Sequence, residues 1–550
     1  MTTTHRLAEP VDFAIVGSGA AGGVLARELS QAGFSVVVFE QGPRLTLADF
    51  EHDELKYWFN GGVINDVVRN PQTFRDDRSK RGERNLVRPT LYYARTVGGS
   101  STHYTANFWR FREVDFDERS RLGPIAGTGF ADWPISYAEL EPYYTKVEWE
   151  IGVSGLAGAS PFDPPRSKPY PMPPLPAKSS GVLLERGARK LGLHPFPAPL
   201  AINSQHYRGR PGCVHCGFCH GFGCEVGAKA SSLTTTIPEA EATGRCEVRS
   251  ESYVVQVVTD KRGRATGVRY FDRDQRERMQ KAKAVILSAN GAETPRLLLM
   301  SANSMFPQGL ANSSGLVGKY LMFNYNARTH AVFEHELNEF KSVQCSRVVH
   351  DFYDSDPQRG FYGGGGIDSR IGPQPTIWAD RIGYDAGALW GSAYKALLAE
   401  FPRTMQLASH TTSLALETNS VELDPELKDA WGMPAMRVTY KDHPDDLATA
   451  RFIQARAAEI MEAAGALKVT NAPVKPSSSS VHLLGTCRMG NDPATSVVDR
   501  YHRSHDIPNL FLCDGSSLVT SGRGQPTLTI QALAFRAAEH IANFARRNEI

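Results

Sequence analysis

The chain has no apolar run of 18 residues, so it offers no helix long enough to span a bilayer. Its opening residues, MTTTHRLAEP, hold neither a basic stretch nor an apolar core, so no secretory leader is expected there. An excess of one charge is also missing: 61 Lys and Arg face 59 Asp and Glu, a net +2. That balance gives no footing for nucleic acid or for a membrane surface. No internal repeat is present. Cysteine is scarce, eight in 550 residues, yet four of the eight crowd between Cys213 and Cys224. Such clustering argues for a metal centre rather than scattered disulfides. Hydrophobic content of 41% and charged content of 22% are those of a soluble globular protein, and the length calls for two or three structural units.

The most informative stretch is VDFAIVGSGAAGGVLARELSQAGFSVVVFE, Val11 to Glu40. Phe13 to Val16 read as a buried strand. Gly17-Ser18-Gly19-Ala20-Ala21-Gly22 has the G-x-G-x-x-G spacing. Gly17 permits a tight turn, Gly19 admits a pyrophosphate close to the backbone, and Gly22 lets helix and strand pack. Val24 to Gln31 continue as a helix whose N-terminus would face the phosphates with free N–H groups and a positive dipole end. Ser35 to Phe39 form a second strand, and Glu40 at its end suits a ribose hydroxyl. Strand, glycine turn, helix and acid in that order point to a bound dinucleotide. The motif does not choose between NAD and FAD.

Further along, Val97-Gly98-Gly99-Ser100-Ser101-Thr102-His103-Tyr104-Thr105-Ala106-Asn107 suits a backbone passing close to a ligand. Ser136 reads as the N-cap of a helix from Tyr137 to Trp149. Pro161 to Pro176 is proline-rich and expected to be extended. Strands are expected at Val254 to Thr259, Gly267 to Phe271 and Ala284 to Leu287, and a helix from Ala228 onward. Asn290-Gly291-Ala292-Glu293-Thr294-Pro295 forms a second glycine turn, which suits a cofactor crevice, before a helix from Arg296 to Met300. From Tyr325 to Val469, short strand-like runs such as Thr329 to Phe333 and Thr412 to Glu417 predict an inserted, mostly antiparallel sheet that roofs a pocket. A helix is expected from Leu447 to Ala464 and a last one from about Thr527 to Arg546.

Taken together, the opening fingerprint, the Val97–Asn107 stretch, DWPISYAELEPYY at Asp132, SANGAETPRLLL at Ser288, and the His482, Asp514 and Pro526-Thr527 segments resemble the glucose–methanol–choline (GMC) family of FAD-dependent oxidoreductases. The likeness covers nearly the whole chain. It implies an α/β fold, with a Rossmann-like FAD domain at 1–325 and 475–550 and a substrate domain on an antiparallel sheet at 326–474. It implies FAD contacts from Gly17, Gly19, Ala20, Ala21, Gly22 and Glu40 at the nucleotide end. Gly98, Ser101, His103, Asn107, Val254, Ala289, Asp514 and Thr527 would serve the rest. His103 is either a hydrogen-bonded loop residue, a flavin contact or a covalent tether. His482 matches the family's catalytic histidine. The second catalytic position, His or Asn in most members, is Gln525 here, which can hydrogen-bond but cannot act as a base.

Cys213, Cys216, Cys219 and Cys224 are similar to the insertion found in bacterial dehydrogenases for glucose, gluconate, fructose and glucosides. That likeness implies an iron–sulfur cluster, [3Fe–4S] or [4Fe–4S], in a loop at about 205–230. Zinc or two disulfides are the alternatives. Cys246, Cys345, Cys487 and Cys513 read as buried apolar residues. The resemblance implies oxidation of a secondary hydroxyl on a sugar, glycoside or sugar acid, with His482 as base. Electrons would go to a cytochrome c or a dye. It further implies a small partner subunit that carries the chain to the periplasm; without such a partner the chain would stay in the cytoplasm. An oxygen-using pyranose or glycoside oxidase and a flavin–iron–sulfur electron-transfer subunit are the other readings.

Overall fold

A computed structural model of the chain describes residues 4–7, 9–370, 374–385, 387 and 390–550. Five strands run parallel in the order Cys246–Arg249, Val36–Phe39, Val11–Val16, Glu277–Leu287 and Leu510–Leu512. All four residues of Val36–Phe39 are buried, as expected for a parallel strand covered on both faces. The helices Ala20–Gln31 and Thr527–Arg546 cover one face, where Val24, Leu25 and Leu29 join Leu533, Ala537 and Ile541 in one core. The strand Glu277–Leu287 does double duty. Its first half pairs antiparallel with Ala265–Phe271, which pairs with Tyr253–Thr259; its second half enters the parallel sheet.

Because the parallel strands share a direction, Gly17, Glu40, Ser288 and Cys513 all leave the sheet at one edge. This carboxyl edge is where open α/β sheets take ligands. Over it stands a six-stranded antiparallel sheet in the order Lys468–Asn471, Arg328–Val332, Thr404–Thr411, Gly365–Arg370, Cys345–Val349 and Phe196–Pro197. The helices Ser179–Lys190 and Pro444–Ala464 pack behind it through Leu183, Leu184, Ile453, Ala457 and Ile460. A four-stranded sheet joins Gln72–Arg75 and Glu83–Arg84 to Ser420–Lys428 and Pro434–Thr439.

Several local expectations shift. The segment Thr412 to Glu417 is not a strand; the strand is Thr404–Thr411, fully buried, so it lacks the alternation that marks a half-buried strand. Residues 228–231 are extended, with Lys229 bridged to Ile202, residues 232–235 turn, and the helix begins only at Thr236. The insertion also carries helices Pro375–Asp385 and Gly391–Ala399. The last helix is Thr527–Arg546 as expected, and Ser136 caps Tyr137–Val147 in a capping box with Glu139. No helix among the described residues is long and apolar enough to cross a membrane.

Candidate active site

A cavity of about 1510 Å³ lies between the carboxyl edge and the antiparallel sheet. An ordinary small-molecule pocket holds ~300–1,000 Å³, so there is room for a dinucleotide and a substrate together. Gly17, Gly19, Ala20, Ala21 and Glu40 line one end. Ser101, His103, Asn107, Val254, Ala289 and Asp514 line the middle, and Thr527, Gln525 and His482 close it below the sheet.

The residues at the nucleotide end fit a dinucleotide. A Cβ on Gly19 would meet nothing closer than Gly99 Cα at 3.9 Å, so no packing within the chain requires glycine there. A methyl group would instead stand in the space where a ligand meets the helix N-terminus. That N-terminus has no side-chain cap and no acid in its first turn, leaving its N–H groups open to an anion. Glu40 accepts from Ser18 Oγ at 2.8 Å and from the Gly42 N–H at 3.0 Å. Its four lone-pair sites leave capacity for a ribose hydroxyl. Asp514 receives Thr294 Oγ1 at 2.6 Å and the Ser516 N–H at 2.8 Å, tying its own loop to the helix Asn290–Met300. Burial raises both carboxyls above their ordinary range. Asn107 is 2% exposed, yet neither its amide nitrogen nor its oxygen has a partner among the described residues. An orphaned amide facing the middle of the cavity fits a flavin edge as its partner.

Gly22 and Gly98 do not line the cavity. A Cβ on Gly22 would meet the Gly17 carbonyl oxygen at 1.9 Å, so Gly22 is there for helix–strand packing. Gly98 holds a left-handed backbone, φ 102°, and accepts from Ser101 Oγ at 2.6 Å. It shapes the turn while its neighbours form the wall.

At the far end His482 carries its Nδ1 3.1 Å from Asn324 Oδ1. Burial first, then the charge of Arg370, lowers its pKa to about 4, against a hydrogen bond to the Gln525 side chain that favours the charged form. The imidazole is therefore neutral at physiological pH and free to take a proton. Behind it Arg370 grips Asp368 through Nε at 3.0 Å and Nη2 at 2.7 Å, and Asp368 accepts from His410 Nδ1 at 3.1 Å. Burial also lowers His103 to about 4. Thr527 opens the last helix, whose N-terminus again lacks a side-chain cap or an acid.

The four clustered cysteines do not line the cavity; His220 and Gly221 of the same loop do. All eight cysteines are free thiols, and Cys246, Cys345, Cys487 and Cys513 are buried as expected. Burial pushes Cys219 up to about 12 against the pull of Lys229, and Cys213, Cys216 and Cys224 all lie within electrostatic reach of it. Among the described residues no three Cys, His, Asp or Glu converge to hold a single metal ion. Four thiols on one loop are soft donors of the kind that both iron–sulfur clusters and zinc take. The loop is bound to the flavin-facing segment: the Gly221 N–H donates to the His103 carbonyl at 2.9 Å. Lys229 Nζ donates to the carbonyls of Tyr104 at 2.8 Å, Cys219 at 2.8 Å and Phe222 at 2.7 Å.

Sequence reasoning missed Asn324, Arg370, Asp368, His410, Lys229 and Arg381. None sits in a motif: Arg370, Asp368 and His410 come from the antiparallel sheet, Asn324 from the segment leading into it, Arg381 from the helix Pro375–Asp385 and Lys229 from the loop between Cys219 and Ala230.

A Rossmann-like edge, an open helix N-terminus and a neutral histidine across one cavity define a dinucleotide-dependent oxidoreductase. A family model described as GMC oxidoreductase matches residues 11–323, and its C-terminal counterpart matches 415–534, so the chain belongs to the GMC oxidoreductase family. The chain is 36% identical over 551 residues to 2-methyl-1,2-propanediol dehydrogenase of Mycolicibacterium austroafricanum, covering 98% of this chain and 96% of the relative. It is 32% identical to the fructose dehydrogenase large subunit of Gluconobacter japonicus, covering 97% and 98%. Among solved structures, Aspergillus oryzae formate oxidase shares the fold, with a TM-score of 0.69, 14% identity and coverage of 99% and 100%. The protein is thus an FAD-dependent oxidoreductase acting on CH–OH groups.

Proposed function

We propose that the chain is a dehydrogenase that oxidises a secondary hydroxyl of a sugar, glycoside or sugar acid to a ketone. The observation that carries this reading is the neutral His482 beside Gln525 at the cavity wall, beneath a roof lined by Asn326, Arg328, Arg370 and Gln406. Such a roof offers many hydrogen bonds to a polyhydroxylated substrate. His482 takes the hydroxyl proton, and Gln525 holds the substrate oxygen. FAD, when bound by Gly19, Glu40, Asn107 and Asp514, supplies the acceptor for the carbon's hydride. The open N-terminus at Thr527 favours negative charge on its neighbour. On this reading residues 1–325 and 475–550 bind the dinucleotide, and 326–474 bind substrate.

Cys213, Cys216, Cys219 and Cys224 would hold an iron–sulfur cluster, which supplies one-electron transfer toward an acceptor such as a cytochrome c. The fructose dehydrogenase relative is a large subunit, which supports a small partner for this chain too, and through it a periplasmic location. The diol dehydrogenase relative supports a second reading, a small vicinal diol as substrate.

The test is stopped-flow flavin reduction over a panel of sugars, sugar acids and diols. His482→Ala should slow reduction by about 10²–10⁴-fold with the best substrate. An unchanged rate would remove His482 from the mechanism. Iron and acid-labile sulfide should be present after anaerobic purification and absent from Cys219→Ser. Rapid peroxide formation in air would favour an oxidase.

A further inference from the structure

The helix Pro375–Asp385 brings the guanidinium of Arg381 to the cavity wall. Its Cζ lies 4.1 Å from the centre of the Trp58 ring, and among the described residues no hydrogen bond or ion pair engages it. The other arginines nearby are all paired. Arg328 is bidentate on Asp385 at 3.1 and 2.7 Å, and Arg370 is bidentate on Asp368 at 3.0 and 2.7 Å. Arg88 reaches Asp380 at 3.4 Å. The same pairs consume the carboxylates, since Asp385 also accepts from His330 Nε2 at 3.0 Å. Among the described arginines of this wall, Arg381 is the one with no carboxylate in ion-pair contact. Burial and the neighbouring Arg328 push its pKa down to about 9 against the partial pull of Asp385 and Asp380, so the cation is held at a cost that an anion would relieve.

A guanidinium resting on an indole keeps its edge N–H groups for a planar, bidentate partner, and carboxylate is the matching shape. Arg381 and His482 line the same cavity, so an anion on the one and a hydroxyl at the other can belong to a single ligand.

We propose that Arg381 recognises the carboxylate of a polyhydroxy acid whose reacting hydroxyl lies at His482. This rests on the reading of the cavity as a polyol oxidation site and selects the sugar acids within it. A neutral sugar leaves the cation unmatched.

The experiment uses the flavin-loaded protein with matched pairs, gluconate against glucose and galacturonate against galactose. Turnover is read with a dye acceptor and binding by thermal shift. The acids should show the lower KM. Arg381→Ala should raise the KM for acids on the order of 10- to 100-fold, the worth of hydrogen bonds to a charged partner. It should change KM for neutral sugars far less than for acids, and Arg381→Lys should recover part of the loss. Equal effects on acid and neutral partner, or preference for the neutral one, would overturn the proposal while leaving polyol oxidation intact. If nothing in the panel is oxidised, the functional reading fails by itself. Stabilisation by the acids in wild type but not in Arg381→Ala then still decides for Arg381, and its absence decides against.

Discussion

Asn324 Oδ1 faces His482 Nδ1 across 3.1 Å, and the orientation of that amide is fixed from its other end. Asn324 Nδ2 donates to the carbonyls of Thr411 at 2.8 Å and Gly522 at 3.2 Å, so its oxygen, not its nitrogen, meets the imidazole. His482 must then carry its proton on Nδ1, which leaves Nε2 as the lone pair that accepts from a substrate. Asn324→Leu keeps the volume and deletes the acceptor. It should lower the rate of flavin reduction about 10–100-fold with little change in KM, short of the ~10²–10⁴ expected for losing the base. Asn324→Asp keeps the acceptor and adds a charge, so it should retain the tautomer and move the pH profile upward. Equal losses in both variants would mean that the amide serves packing only.

Two glycines of the fingerprint should part ways on mutation. Gly19→Ala meets no protein atom closer than 3.9 Å, so the apoprotein should melt like wild type while flavin content collapses. Gly22→Ala places a methyl 1.9 Å from a backbone carbonyl oxygen, so it should lower Tm or abolish folding before binding is at issue. Flavin absorbance and an apoprotein melt measured together separate the two.

Acid should destabilise the fold before it inactivates the base. His502, 0% exposed, donates Nδ1–H to the Leu512 carbonyl at 3.0 Å, and burial lowers its pKa to about 3. In the unfolded chain the same imidazole gains a proton below 6.5. Between those values the unfolded state binds the extra proton, so stability falls as pH falls, by about 1.4 kcal/mol per pH unit for such a group. A Tm–pH series should therefore slope down below pH 6.5, and less steeply when His502 is replaced by Gln, the remaining slope coming from buried histidines such as His103 and His482. Turnover per folded molecule should hold through the same range and drop only as pH nears about 4, where His482 takes its proton.

Lys229 clamps the cysteine loop to the segment that carries His103. Lys229→Met fills the volume and leaves three buried carbonyls without their donor, at roughly 1–3 kcal/mol each. The Tm should fall by several degrees, and iron should be lost from the purified protein more readily than flavin. A variant with unchanged Tm and iron content would show that the clamp is dispensable.

Much of this was legible because some chemistry is local. Phe13 to Val16, Gly17, Gly22 and Glu40 occupy one continuous stretch, and a strand, a tight turn and a helix N-terminus are set by neighbours in sequence. The Ser136–Glu139 capping box and the helix from Thr527 were readable for the same reason. Legibility failed at Thr404–Thr411, which is buried on both faces, so that its period carried no signal.

The order of residues alone decided that a dinucleotide would lie on a parallel sheet edge and that four thiols would share one loop. What it could not decide is which proton His482 holds, which arginine stays unpaired and what binds the thiol loop to the flavin wall. Those depend on Asn324, Asp368, Asp385 and Lys229, partners far away in the chain or lodged in irregular loops. Only the packing of one sheet over the edge of another brings them within hydrogen-bonding distance.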